Sequence, residues 1–377
     1  MLEINNIYLG NSLELLKQLD DNSVDSIVTD PPYELGFMNN SWDNSGIAYN
    51  VELWKECLRV LKRGGHLVSF SSTRTYHRMT CAIEDAGFEI RDMIEWIYFN
   101  GMVKSNDVGM MFDKKEGKEL QTIGYKVELS GRCMAIEPKA NEIVCNPDKD
   151  SRKYGVDNRT SAERKVVKVP TSENGVKWDG WGTMLKSSHE PIVLARKPLD
   201  RNNLCDNILL HNVGALNIDD CRFKEEVNLK SGVYKKLNLK HTNTYNDKYK
   251  IYEDIQERKF VEPLGRFPTN CITLDDNQFY SDYYNITPKE LSKKATKSDK
   301  NSKWNGEQIK HDNKHVTVKP VELMSWLIKL ITPTSGIVLD PFAGSGTTLV
   351  AAKKYNYRYI GFELLPEHIE IINERLS

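Results

Sequence analysis

The sequence predicts an α/β fold, a mostly parallel sheet with helices on both faces. Short β-branched runs alternate with segments whose apolar residues recur at helical spacing, the pattern of strands joined by helical crossovers. Two of these runs stop at an Asp-Pro step, Asp30-Pro31 and Asp340-Pro341. That delivers polar groups to the carboxyl ends of buried strands, where open parallel sheets bind ligands. At 377 residues the chain can bury one large α/β domain and carry an insert as well.

The elements follow in order. Residues 2–8 read as a short strand, and Leu13, Leu16 and Leu19 mark a helix that Asn11 or Ser12 can cap. Val24, Ile27 and Val28 form a buried strand ended by Pro31 and Pro32. The polar, glycine-dotted stretch from Glu34 to Gly46 reads as a mobile loop over the strand end. Val51, Trp54, Leu58 and Leu61 share one helix face, which Gly64-Gly65 should end before a strand at His66–Phe70. Tyr76, Met79, Ile83 and Ala86 form a further helix stopped by Gly87, followed by a strand from Phe88 to Phe99. From Asn100 to His311 the periodicity fails, and Glu137–Pro170 shows no clear helix or strand. Order returns at Trp178 and ends in a strand at Ile192–Arg196. Pro320 opens a helix with Met324, Leu327, Ile328 and Ile331 on its buried face. A strand at 336–340, a helix at 347–354, a strand at 358–363 and a helix from Pro366 complete the chain.

Chemistry concentrates at two strand ends. Asp30-Pro31-Pro32-Tyr33 combines a carboxylate, a rigid backbone without N–H groups and an aromatic ring. Such a set suits a planar base with an exocyclic amine. Two acceptors, Asp30 and the Pro31 carbonyl, hold the amine hydrogens and localise its lone pair while the ring stacks on Tyr33. At the second end, Asp340-Pro-Phe-Ala-Gly-Ser-Gly-Thr347 is a glycine turn entering a helix, as in nucleotide-binding βα units. No Lys follows as in a P-loop, and Leu349 occupies the place of the third small residue of the dinucleotide fingerprint. Glu363, ending the next strand, is placed for ribose hydroxyls.

Together the two motifs, in this order, resemble the amino-methyltransferases of DNA that use S-adenosylmethionine, specifically the permuted β-class. The resemblance covers roughly residues 1–100 and 311–377. It implies a Rossmann-like, circularly permuted methyltransferase fold: a catalytic half at 1–100, an inserted target-recognition region at 101–310 and a cofactor-binding half at 311–377. Asp30, Pro31, Pro32 and Tyr33 would be catalytic. S-adenosylmethionine would be held by Asn11, Asp30, Asp340, Phe342, Ala343, Gly344, Ser345, Gly346, Thr347 and Glu363. Thr317 and Lys319, in Thr-Val-Lys-Pro, would border its methionine part. Gly101–Val108, Trp178–Pro198, Val213–Arg222 and Gly265–Ile272 resemble landmarks of phage-type members, which implies that the strand near 190–197 rejoins the main sheet. The reaction implied is methylation of adenine N6, because Asp mostly accompanies adenine where cytosine-N4 enzymes mostly carry Ser. Cytosine N4 remains the alternative. Double-stranded DNA is the implied partner, with a homodimer and a cognate restriction enzyme both left open.

Composition sets the bounds. Lys and Arg number 52 against 53 Asp and Glu, so a DNA surface must be local. Arg222–Lys259, with Tyr234, Tyr245, Tyr249 and Tyr252 interleaved, carries a local net charge of +4, and Lys289–Lys319 carries +5. Basic residues among aromatics suit phosphates and bases, and a solvated linker is the competing reading. The seven cysteines include no Cys-x-x-Cys pair, which favours reduced thiols without a zinc site. Neither a signal segment nor a membrane span is visible, so a cytoplasmic protein is expected. No Pro-Cys dipeptide is present, which excludes cytosine-C5 chemistry of the covalent type. A nicotinamide-dependent oxidoreductase would leave Asp-Pro-Pro-Tyr without a role, and a non-catalytic DNA-binding protein would not need both motifs.

Overall fold

The computed structural model describes residues 2–36, 41–98, 105–129, 132–133, 163–222, 268–272, 294–310, 312–313, 315 and 317–377. They form two compact units, Met1–Asn100 with Ser188–Ser377, and Gly101–Ser187. Most of the lysine window at 222–259, its four tyrosines, and parts of the segments at 101–108, 265–272 and 289–319 lie outside the described residues.

The larger unit is built on eight strands: β1 (Asn6–Leu9), β2 (Val24–Thr29), β3 (Leu61–Phe70), β4 (Glu89–Ile97), β8 (His189–Arg196), β9 (Cys271–Ile272), β10 (Ile337–Asp340) and β11 (Arg358–Glu363). The smaller unit supplies β5 (Gln121–Leu129), β6 (Arg132–Cys133) and β7 (Glu163–Val169). Across the large sheet the order is β1-β11-β10-β2-β3-β8-β4-β9. Every neighbour is parallel except β8, which runs antiparallel to both β3 and β4. From β10 the chain steps outward to β11, whereas from β2 it steps to β3 on the other side. The order therefore reverses between β10 and β2, where Val338 pairs with Ser26 and Leu339 with Ile27. This α/β architecture is the one that the alternating pattern predicts.

The period-two alternation of the strands divides the core into two layers. Val28, Val68 and Phe70 face one layer with α8 (Val321–Ile331), whereas Ile27 and Leu67 face the other with Leu53 and Trp54. Those last two lie on α2 (Val51–Val60), which Asn50 caps by accepting from Glu52 N at 3.0 Å. The remaining helices of this unit are α1 (Ser12–Leu16), α3 (Tyr76–Asp85), α6 (Leu204–His211), α7 (Lys297–Lys300), α9 (Thr347–Lys354) and α10 (Pro366–Leu376). No helix among the described residues is long and apolar enough to cross a membrane.

In the smaller unit, α4 (Val108–Glu116) and α5 (Glu173–Lys177) accompany a three-stranded sheet ordered β6-β5-β7. Asp113 of α4 is its fixed point. The buried carboxylate accepts from Thr171 N at 2.6 Å, Ser172 N at 3.0 Å and Ser172 Oγ at 2.5 Å. β7 corrects the expectation of no regular structure through 170: its polar residues pair antiparallel with β5. Strand pairing there comes from a distant segment, so no local period announces it.

A second correction concerns Gly64-Gly65. They do not end the helix, which stops at Val60, but lie inside β3, where the register with β2 shifts between Val24–Leu61 and Ser26–His66. Gly64 has φ +83°, and a Cβ there would come within 2.3 Å of Asn207 Nδ2. That amide donates to Arg63 O at 2.9 Å and Val213 O at 3.2 Å, tying α6 to the bulge. Gly64→Ala should therefore cost roughly 2–4 kcal/mol through backbone strain and displacement of Asn207. Urea unfolding measures this, and a loss under about 0.5 kcal/mol would contradict the packing described.

Candidate active site

β2 ends in Asp30 and β10 in Asp340, and the two ends are stitched together. Thr29 Oγ1 donates to Asp340 Oδ1 at 2.7 Å, and Phe342 N donates to the same oxygen at 3.0 Å. Burial pushes the Asp340 carboxyl up to about 6, against the opposing donors Thr29, Thr348 and Phe342. One residue beyond Thr29, Asp30 enters a cluster of charges.

Lys319 is the centre of that cluster. Its Nζ lies 2.5 Å from Asp30 Oδ2, 3.0 Å from the Tyr33 hydroxyl and 3.4 Å from Glu190 Oε2. Tyr33 Oη donates onward to Glu190 Oε2 at 2.9 Å, and Lys294 Nζ stands 3.5 Å from Glu190 Oε1. The Phe70 and Tyr33 rings flank the Lys319 ammonium at 4.8 and 5.2 Å from their centroids. Burial pulls the Lys319 ammonium down, but Asp30 and Glu190 outweigh it and hold its pKa above the ordinary value.

The two carboxylates respond differently to the shared ammonium. Burial raises Asp30, and Lys319 on one oxygen only partly offsets this. Burial acts on Glu190 too, yet Lys319, Lys294 and the Tyr33 hydroxyl together hold it below the usual carboxylate range. Tyr33, raised well above its ordinary value by burial and both acids, stays a protonated donor. Asp30 Oδ1 is covered and has no partner among the described residues, while the side chain as a whole is 21 % exposed. A buried carboxylate oxygen left without a donor is costly, and such an acceptor marks a place for an incoming N–H.

The glycine turn is held from three sides. Gly344 N donates to Glu363 Oε2 at 2.7 Å, and Leu365 N to Glu363 Oε1 at 2.9 Å. Gly344 and Gly346 have φ of +55° and +80°, and a Cβ on Gly346 would meet Ile372 of α10 at 2.9 Å. Beneath the turn, fully buried Arg375 donates through Nη1 to Ser345 O at 2.7 Å and Thr347 Oγ1 at 3.1 Å. Its other contacts are also neutral oxygens, and burial lowers its pKa to about 10. The His315 ring faces Gly344 and lies 4.7 Å from that of His368. Burial, then His368, depresses His315 to about 3.

Of the residues singled out from sequence, Asp30 and Tyr33 share the cluster, with Pro31 buried and Pro32 half-buried between them. Lys319 stands on Asp30. Thr317 is exposed, its N–H directed at His315 Nδ1 at 3.4 Å. Asn11 caps α1 through Leu13 N at 2.9 Å, and Ser12 Oγ donates to Pro341 O at 2.5 Å, fixing that end beside the glycine strand. Ala343 is buried, and its N–H donates to Phe362 O at 2.9 Å. The loop after Tyr33 is knit by Asp43, which accepts from Glu34 N at 3.1 Å, and by Glu34, which accepts from Gly46 N at 2.7 Å; residues 37–40 lie outside the described residues. Sequence reasoning missed Glu190 and Arg375. An acid just ahead of Pro191 and a fully apolar strand was the available signal for Glu190; Arg375 sits on a helix that reads as amphipathic.

Comparison with known proteins places this geometry. A family model described as DNA methylase matches residues 24–374. The type II methyltransferase M.HindIII of Haemophilus influenzae is 24 % identical over 400 residues, spanning 95 % of this chain and 90 % of its own. M.HpaI of Haemophilus parainfluenzae is 32 % identical over 121 residues, 29 % of this chain and 38 % of its own. Among solved structures, the M1.HpyAVI–SAM complex aligns over 98 % of this chain and 99 % of that one, at 18 % identity and a TM-score of 0.42.

Arg375→Met should destabilise the larger unit by roughly 2–4 kcal/mol, because it leaves buried carbonyl and hydroxyl groups of the glycine turn without their donor. A urea midpoint equal to the parent's would remove Arg375 as the prop of the turn.

Proposed function

The chain belongs to the DNA methylase family, and from that premise we propose that it is a site-specific, S-adenosylmethionine-dependent methyltransferase acting on N6 of adenine in duplex DNA. Its motif order is that of the permuted β-class. The observation that carries this reading is Asp30, poised at the end of β2 beside β10 with one oxygen ion-paired and the other without a protein donor.

The donor set fits the cofactor. Glu363 closes the strand beside the glycine turn, and its Oε2, having taken the Gly344 N–H, retains acceptor capacity for a hydroxyl, while Oε1 meets Leu365 N and His368 Nδ1. S-adenosylmethionine, when bound there, supplies an electrophilic methyl on a sulfonium. The residues of the chain do the rest. A base flipped out of the duplex stacks on Tyr33, whose ring is held by the hydrogen bonds of its hydroxyl to Glu190 and Lys319. Asp30 and the Pro31 carbonyl accept the two amine hydrogens, which localises the lone pair toward the methyl; as the N–C bond formed, the methyl–sulfur bond would break to leave the neutral thioether, and the surplus amine proton would pass to Asp30 or to water. The positive charge of Lys319 opposes the burial that raises the Asp30 carboxyl and so favours its ionised form. Sequence choice falls to the region between 101 and 310, which carries most of the two basic windows.

Two measurements test this. Unmethylated DNA treated with the protein and S-adenosylmethionine, then digested to nucleosides, should yield N6-methyladenine. N4-methylcytosine as the main product would overturn the base assignment. Asp30→Ala should reduce turnover by about a hundredfold or more while cofactor affinity by calorimetry changes little. Retained turnover would remove Asp30 from the chemistry.

A further inference from the structure

Glu190 lies 157 residues from Tyr33 along the chain, on a strand that enters the sheet antiparallel, and yet it completes the cluster around Lys319. An ammonium has three hydrogens to give. Lys319 donates to Asp30 Oδ2 and Tyr33 Oη at 2.5 and 3.0 Å and is ion-paired with Glu190 Oε2 at 3.4 Å. The Tyr33 hydroxyl, having accepted from Lys319, spends its own hydrogen on Glu190. Among the described residues, the donors shown around Asp30 are thereby engaged, and Glu190 is a partner of both Lys319 and Tyr33.

We propose that Glu190 is a positioning residue for methyl transfer: by drawing the Lys319 ammonium as an ion-pair partner and taking the Tyr33 hydroxyl hydrogen, it keeps one Asp30 oxygen unpaired for the target amine and fixes the Tyr33 ring for stacking. This rests on the reading of Asp30 as the amine acceptor. Without the Glu190 charge, Asp30 is the one carboxylate left at Lys319 among the described residues, and a shift of the ammonium toward it would chelate both Asp30 oxygens. A chelated carboxylate would still be ionised, more firmly than before, but it would be closed to the amine. The charged and titratable groups facing Glu190 are Lys319, Lys294, Tyr33 and Asp30, with His189 beside it on β8. Asp340 adds a further negative charge near Asp30. Lys294 at Oε1 keeps Glu190 anchored, so its Oε2 is the oxygen that works on the cluster.

The sign of the pH effect follows. The Glu190 charge is among the causes that raise Asp30, so removing it lowers the Asp30 pKa. Activity is lost in acid as Asp30 protonates, and the acid limb of the rate profile must therefore move to lower pH in Glu190→Gln.

The test compares single-turnover methylation of unmethylated genomic DNA by the parent, Glu190→Gln, Glu190→Asp, Tyr33→Phe, the Glu190→Gln/Tyr33→Phe double variant and Asp30→Ala, with S-adenosylmethionine binding followed by calorimetry. Glu190→Gln should lower the transfer rate about ten- to a hundredfold, leave cofactor affinity within about twofold, and move the acid limb to lower pH. Glu190→Asp, which keeps the charge, should retain the parental acid limb and recover part of the rate. The double variant should lose less than the product of the single losses, because both act on one hydrogen bond. Parental rate and parental acid limb in Glu190→Gln, with Asp30→Ala inactive, would overturn the role of Glu190 alone. An active Asp30→Ala would instead overturn the reading beneath it. If Glu190→Gln does not fold, the Glu190→Asp and Tyr33→Phe profiles decide: a fall in rate with a parental limb in the first supports the proposal, and full rates in both overturn it.

Discussion

A single buried ammonium organises the site. Lys319 reaches across 289 residues to Asp30, and its positive charge lowers the cost of burying two carboxylates, Asp30 and Glu190, side by side. An unpaired ammonium buried at that depth would shed its proton, and two unpaired acids would hold one proton between them. Balanced as they are, with Lys294 on the far oxygen of Glu190, they leave one feature uncompensated, the second oxygen of Asp30. The chemistry of the site is concentrated in that imbalance.

Sheet topology makes the cluster attainable. β2 and β10 come from opposite ends of the chain and lie side by side where the strand order reverses, so Asp30 and the glycine turn emerge at adjacent strand ends. The Thr29–Asp340 bond pins them there. Around the turn, the protein spends buried polar groups without an acid partner for the cation: Arg375 below, on neutral oxygens, and Glu363 at the strand end, on backbone N–H groups. Positive φ at Gly344 and Gly346 lets the chain make this bend with Ile372 packed against it.

Much of this was legible in the sequence, and the limits have physical causes. Strands that carry their own β-branched runs, such as 24–29 and 358–363, and helices with a full apolar stripe, such as that after Pro320, state their structure locally. The Asp-Pro-Pro-Tyr and glycine motifs likewise carry their chemistry in adjacent residues. Gly64-Gly65 misled because a glycine pair serves a bulge as readily as a helix stop, and only the position of Asn207 distinguishes the two. β7 was invisible because its partner strand lies some forty residues upstream. Lys319, which the motif sets at the cofactor, also stands on Asp30, and Glu190 announces nothing locally, for one reason: a buried charge is meaningful only through partners that the fold brings from elsewhere.

The measurement that bears most directly on the open Asp30 oxygen is a crystal structure of the protein with S-adenosylhomocysteine and a duplex containing a methylated site identified by modified-base sequencing. The account predicts the target amine nitrogen about 3 Å from one Asp30 oxygen, with Lys319 still on the other and Tyr33 stacked on the flipped base. A target amine held by other acceptors, with both Asp30 oxygens bound to protein donors, would contradict it.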